Sequence, residues 1–304
     1  MRAPAEATAN RRGAGAPSVR RYLSCIRYRE ILVLQGSPLL GAAFAMGAMT
    51  RERLAALAVL AAASVLLVAH IFTLNDWAGM SADLEDPNKA ARVFATKGVS
   101  RREIGILSIA LLAGSLLLFA VLGPRTLAIA SAIALLSLLY SLPAFQAKGV
   151  PILNSAIHLA GGSLHFLLGY SPFRAIDGRG VLVSGFFALA FAAGHLTQEV
   201  RDHDGDRASG IRTNAVAFGR ARTFAASLVL FTLAYAQLLL LAARGSLPGA
   251  TAALVVLYPL HLYWSLQAIG AGLTFQAIHS LQLRYRALYA LIGAALLAEL
   301  LLGR

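Results

Sequence analysis

Charge is scarce in this sequence. Asp, Glu, Lys and Arg make up only 13% of it, against roughly 25% in a soluble globular domain. The deficit falls on the acids, with 14 Asp and Glu against 27 Lys and Arg. Cysteine is nearly missing: Cys25 stands alone, which excludes an intrachain disulfide and a multi-cysteine metal site. Apolar residues take the place of charge, at 58% of the chain with a mean hydropathy of +0.68. Such a chain is an integral membrane protein. Its net charge of +13 raises the question of nucleic acid, but the bases sit in short loops between apolar runs, where they orient helices and meet anionic lipid. The bilayer is therefore the expected partner, and nucleic acid is not.

Residues 1–20 are rich in Ala, Gly and Arg without an apolar centre, and read as a disordered basic arm rather than a secretory signal. From there to residue 304 the chain reads as one domain. Nine apolar runs follow, at 31–49, 54–75, 103–122, 126–143, 152–170, 180–201, 222–243, 248–270 and 285–302, each near the ~20 residues that cross the hydrocarbon core as a helix. The expected fold is all-α, a polytopic membrane bundle of nine transmembrane helices. Alternating the connectors between two sides puts 20 Lys and Arg on the side of the N-terminal arm and seven on the other. Basic loops stay cytoplasmic, so the N-terminus is expected inside and the C-terminus outside, in a membrane such as the bacterial inner membrane.

Two polar stretches then fall on the same cytoplasmic side. One runs from His195 to Thr213, H-L-T-Q-E-V-R-D-H-D-G-D-R-A-S-G-I-R-T, and the other from Leu74 to Ser100, opening L-N-D-W-A-G-M-S-A-D. On a helix, residues three, four or seven apart share a face. If the sixth helix continues that far, His195, Glu199, Asp202 and Asp206 point one way and Asp204 elsewhere. Asn75, Gly79 and Asp83 line up similarly, as do Asp76 and Asp83. Oxygen-rich faces without Cys suit Mg²⁺, which binds through one or two carboxylates plus substrate phosphates. Arg92, Lys97, Lys148, Arg207 and Arg212 lie on the same side and are candidates to neutralise a diphosphate. Composition alone fits equally well a solvated helix end whose bases only set orientation.

These residues resemble the UbiA superfamily of intramembrane prenyltransferases, whose pattern is N-D-x-x-D-x-x-x-D after the second helix and D-x-x-x-D after the sixth. Asn75, Asp76 and Asp83 match the first motif, and Asp202 and Asp206 the second. R-V-F-A-T-K-G-V-S, from Arg92 to Ser100, is similar to the family's R-P-I-x-S-G-x-x-S, and D-G-D-R-A-S-G-I-R-T-N-A-V-A-F-G looks like its post-motif segment. Y-S-L-P-A-F-Q-A-K resembles Y-S-x-P-P-x-R-x-K, with Lys148 at the basic position. The likeness covers about 25–304. It implies one Mg²⁺ at each motif, held here by Asn75, Asp83, Asp202 and Asp206, with Asp76 also in the catalytic set. Arg92, Lys97, Lys148 and Arg212 are implied as diphosphate contacts. One departure matters: Gly79 stands where the family has the middle acid, so the first site has lost a ligand. Glu85 and Asp86 are near in sequence, but their helical phase differs from that of Gly79.

The implied reaction is prenyl transfer from an isoprenoid diphosphate to a small acceptor, an aromatic quinone precursor being the first choice. Within the same fold, a terpene cyclase or lyase that quenches the cation internally is the alternative; a non-catalytic lipid-binding or transport relative is a third reading, supported mainly by Gly79. Phe72, Trp77, Tyr140, Phe145, Phe166 and Tyr170 are candidates by position to steady an allylic cation. His195 and Glu199 continue the face of the second motif, and either could position the acceptor or take its proton. Asn154 and His158, one turn apart, either reach the substrate or bond between helices. His165, His70 and His261 read as packing residues.

Overall fold

The computed structural model describes residues 19–302, without the side chains of Val19, Arg92, Leu301 and Leu302. The basic arm thus lies outside the described residues except for Val19 and Arg20, which open the first helix. Among the described residues every regular element is helical: α1 (Val19–Cys25), α2 (Tyr28–Leu34), α3 (Gly36–Met46), α4 (Arg51–Glu85), α5 (Arg101–Val121), α6 (Pro124–Ser141), α7 (Leu153–Tyr170), α8 (Gly178–Ala208), α9 (Asn214–Phe218), α10 (Arg220–Ala243), α11 (Tyr258–Gly270) and α12 (Phe275–Leu302). Short 3₁₀ turns sit in the connectors, and a longer one, Gly249–Leu257, leads into α11.

Six segments among the described residues are long and apolar enough to cross a membrane: α4, α5, α6, α8, α10 and Gly249–Gly270. The other three apolar runs fall in α2 with α3, in α7 and in α12. Outward faces are apolar, as at Ile109, Leu117, Val121 and Val256, all more than two-thirds exposed, which suits contact with lipid rather than water.

The helices start and stop on local chemistry. Thr50 caps α4 by accepting from the Arg53 N–H, Ser100 and Glu103 form a capping box on α5, and Asp177 caps α8. Pro124 takes the first turn of α6, where its missing N–H costs nothing. α8 closes at Gly210, φ +70°, where the N–H of Ile211 reaches the Asp206 carbonyl at 2.8 Å; only glycine takes that left-handed position without strain.

Packing is closest where side chains are smallest. A Cβ on Gly169 would lie 1.8 Å from the Pro38 carbonyl oxygen, and one on Gly41 2.1 Å from that of Phe166, so α3 and α7 meet backbone to backbone. α8 runs through the middle of the bundle against α7 and α10. Its apolar half packs into a core of Leu40, Phe44, Phe166, Tyr170, Phe186, Tyr235 and Leu238, and α4, α5 and α6 enclose a second core around Leu60, Leu67, Phe119 and Ile133.

The two longest helices far exceed the thickness of a bilayer. α4 has 35 residues and α8 has 31, or about 52 and 46 Å at about 1.5 Å per residue, against about 30 Å of hydrocarbon. Their surplus turns carry the two polar stretches beyond the apolar core, at the same end of the bundle.

Candidate active site at the ends of the two long helices

α8 continues to Ala208, so the spacing of its polar residues becomes a single face. Asp202 and Asp206 are 8% and 4% exposed, whereas the Asp204 side chain is 80% exposed and pairs with Arg220 and His203. Asp204 points away, as its phase predicts.

α4 stops at Glu85 because Pro87 follows. The residue before a proline is driven out of the helical region, and Asp86 is extended, at φ −83° and ψ 112°. Helical phase therefore does not govern Asp86, contrary to the expectation from spacing. It is 7% exposed and turned toward α8, where a Cβ on Gly205 would meet its Oδ2 at 2.5 Å. Gly205, inside D-H-D-G-D, is the gap that admits an acid from the other wall.

Lys89 joins the two walls. Its ammonium lies 3.3 Å from Asp202, 3.6 Å from Asp86 and 3.8 Å from Asp83. Burial works against its charge, but the carboxylates of Asp202, Asp83 and Asp206 outweigh burial and hold Lys89 above the ordinary lysine range. The other acids are also matched. Arg201 grips Asp202 in a bidentate pair at 2.6 and 3.0 Å while bonding Gln282. Lys148 lies 3.7 Å from Asp206, and Arg27 pairs with Asp76 through two nitrogens.

Glu199, one turn before Asp202, is engaged differently. Its Oε1 accepts from Asn154 at 2.6 Å and Asn214 at 3.2 Å, and its Oε2 from the Ala215 N–H at 3.4 Å. Asn214 also donates to Asn154 and accepts from the Ile152 N–H at 2.7 Å, so one carboxylate ties α7, α8 and α9 together. His195 Nε2 is 3.0 Å from Glu199 Oε1 but out of line for a hydrogen bond. The His195 ring stacks on His158 at 3.5 Å, with the edge of Tyr140 against both.

The remaining candidates are placed as follows. Asn75 is half-buried and has no hydrogen-bond partner among the described residues, and Arg212 is exposed and makes no ion pair among them. Lys97 donates to the Ser24 carbonyl at 2.5 Å, which ties the connector to α1. The Arg92 side chain lies outside those described. Of the six aromatic candidates, Tyr140 borders the polar face, Phe72 and Trp77 lie under Arg27 and Arg101, Phe166 and Tyr170 are core residues, and Phe145 is exposed. His70 bonds Ser108 across α4 and α5, in keeping with a packing role.

Sequence reading passed over Lys89, Arg27, Arg201 and Asn214, and set Asp86 aside. Lys89 and Asp86 did carry a signal, the proline that breaks α4 inside D-L-E-D-P-N-K. An apolar cavity of about 320 Å³ borders the same region, lined by Ile152, Leu196, Phe218 and Thr223 with Ser155 and Asn214. Another, near Phe44, Arg174 and Arg179, touches none of these residues.

Buried carboxylates matched to bases thus gather at one end of the helical bundle. The chain belongs to the UbiA prenyltransferase family, which matches residues 37–272, and it is a membrane-embedded prenyltransferase. It is 31% identical over 210 residues to a digeranylgeranylglyceryl phosphate synthase of Natronomonas pharaonis, covering 67% of this chain and 71% of that relative. Its fold is that of a UbiA homolog from Archaeoglobus fulgidus bound to DMAPP and Mg²⁺ (TM-score 0.69, 18% identity, 91% of this chain and 99% of that one). It is similarly close to a structure of digeranylgeranylglyceryl phosphate synthase in membranes (TM-score 0.70, 16% identity, 93% and 98%).

Proposed function

We propose that the chain transfers a prenyl group from an isoprenoid diphosphate to a small acceptor, with Mg²⁺, at the cytoplasmic face of a bacterial inner membrane that it crosses nine times, N-terminus inside and C-terminus outside. The observation that carries this reading is the meeting of the two acidic stretches at one end of the bundle, with Lys89 in contact with both. The excess of bases on that side supports its cytoplasmic orientation.

The donor atoms suit a hard cation. Asp202 and Asp206 would be oxygen ligands one turn apart, with Asp83 and Asn75 on the facing wall. No group of three or more His, Cys, Asp or Glu among the described residues is arranged to hold a metal ion by itself, so diphosphate oxygens and water would complete the coordination, as is usual for Mg²⁺. When bound, Mg²⁺ neutralises the diphosphate as it leaves. The chain's own bases do the rest. The C1–O bond breaks with both electrons going to the diphosphate; Lys148 and Arg212, and the less exposed Lys89, meet the growing charge. The acceptor's nucleophilic atom bonds to C1, and its proton passes to the released diphosphate. Asp76, held by Arg27, and Glu199, held by Asn154 and Asn214, act as positioning residues that set the two walls. The apolar cavity beside Asn214 supports entry of an isoprenoid or lipid tail from the bilayer.

For the acceptor, the aromatic quinone precursor is the reading from sequence. A second, a glyceryl phosphate lipid, is favoured by the name of the 31% identical relative. Purified protein with Mg²⁺, a labelled prenyl diphosphate and either acceptor decides between them by which product carries label. Label in a cyclised hydrocarbon without any acceptor would instead establish the cyclase alternative.

A further inference from the structure

We infer that the ammonium of Lys89 is a resident cation standing where Gly79 leaves the first acidic motif short of a ligand, so that this chain works with one divalent metal, at Asp202 and Asp206, rather than two. The inference rests on the Mg²⁺-dependent reading above and specifies its stoichiometry.

Three observations meet at this point. First, no carboxylate projects from position 79, although a Cβ there would be accommodated, meeting only the Asp83 side chain, at 3.6 Å. Second, an acid from outside the motif, Asp86, reaches α8 through the gap at Gly205. Third, the charge that Asp83, Asp86 and Asp202 share is a lysine already present in the chain, within 3.3 to 3.8 Å of all three. A lysine ammonium is a compact point charge with three donors on a flexible stem. It can face carboxylates from several directions and still turn one donor toward a phosphate oxygen. It cannot polarise oxygen as Mg²⁺ does, but it supplies a counter-charge that no chelator removes.

Lys89 lies three residues beyond Asp86 and is anchored by the turn that Pro87 starts, where the N–H groups of Lys89 and Ala90 both bond the Asp86 carbonyl at 2.9 Å. The backbone thus fixes acid and base together. Arg201 engages both carboxylate oxygens of Asp202, and Lys148 lies on Asp206, so a metal at these two aspartates would share their oxygens with those bases.

The test is Mn²⁺ binding to the full chain in nanodiscs, followed by the electron paramagnetic resonance of free Mn²⁺ with a non-hydrolysable geranyl diphosphate analogue present. One Mn²⁺ per wild-type chain is expected, and Lys89→Arg keeps one. Lys89→Met, or Lys89→Gln should the first prove unstable, takes up a second, and Gly79→Asp with Lys89→Met binds that second ion more tightly. Two ions on the wild type, or one on both neutral variants, overturns the inference while leaving prenyl transfer intact. If the wild type binds none and releases no diphosphate from geranyl diphosphate, the Mg²⁺-dependent reading and the inference fall together.

Discussion

Asn154 and Glu199 share a hydrogen bond of 2.6 Å inside the contact between α7 and α8. Neither is solvent-exposed, at 0% and 3%, and the bond sits one turn from Asp202. Replacing Asn154 by Ala removes the shortest donor from a buried carboxylate, a loss of about 1–3 kcal/mol. Thermal unfolding in detergent should show a lower Tm for Asn154→Ala and a still lower one for Asn154→Asp, which sets a second acid against Glu199. Equal Tm values in all three proteins would mean that Glu199 is not held by this bond.

Arg27 reaches from the start of α2 to Asp76 on α4. Arg27→Met frees Asp76 to move, and loss of a group that orients a ligand typically costs about 10–100-fold in activity. The steady-state rate of prenyl transfer should fall by that amount and recover partly in Arg27→Lys. An unchanged rate in Arg27→Met would remove Asp76 from the positioning set.

Much of the fold was legible because burial in lipid leaves little choice. Each of the nine apolar runs lies mainly in helix, and continuation of α8 to Ala208 follows from the common face of His195, Glu199, Asp202 and Asp206. Hydropathy is silent on helix type, and so does not distinguish α11 from the 3₁₀ stretch before it, or mark the break at Gln35 between α2 and α3. In the site, periodicity worked where the helix persists and failed where it ends. Helical phase misplaces Asp86 because Pro87 interrupts the helix there, and by charge pattern Lys89 and Arg27 carry only a topological signal. Their pairing depends on helices distant in sequence coming together, which no local pattern encodes.

Gly169 tests the packing that sets those distances. A methyl group there collides with the Pro38 carbonyl, and backbone cannot yield as a side-chain tip does. Gly169→Ala should destabilise the bundle by about 3 kcal/mol, seen as a drop in Tm and in folded yield. Wild-type stability in this variant would show that α3 and α7 do not approach so closely.

Arg212 is exposed and free of ion pairs among the described residues, so its loss should cost substrate binding and not folding. A charge-assisted hydrogen bond contributes about 1.5–3 kcal/mol, so Arg212→Gln should raise the KM for the prenyl diphosphate about tenfold or more at an unchanged Tm. A KM within twofold of wild type would exclude a diphosphate contact.

Asp202 and Asp206 carry the central claim. With Mg²⁺ and a labelled prenyl diphosphate, wild-type protein should release diphosphate, and Asp202→Asn and Asp206→Asn should each lower that release by about 100-fold or more while remaining monodisperse in detergent. Full release by both variants would contradict the assignment of the site.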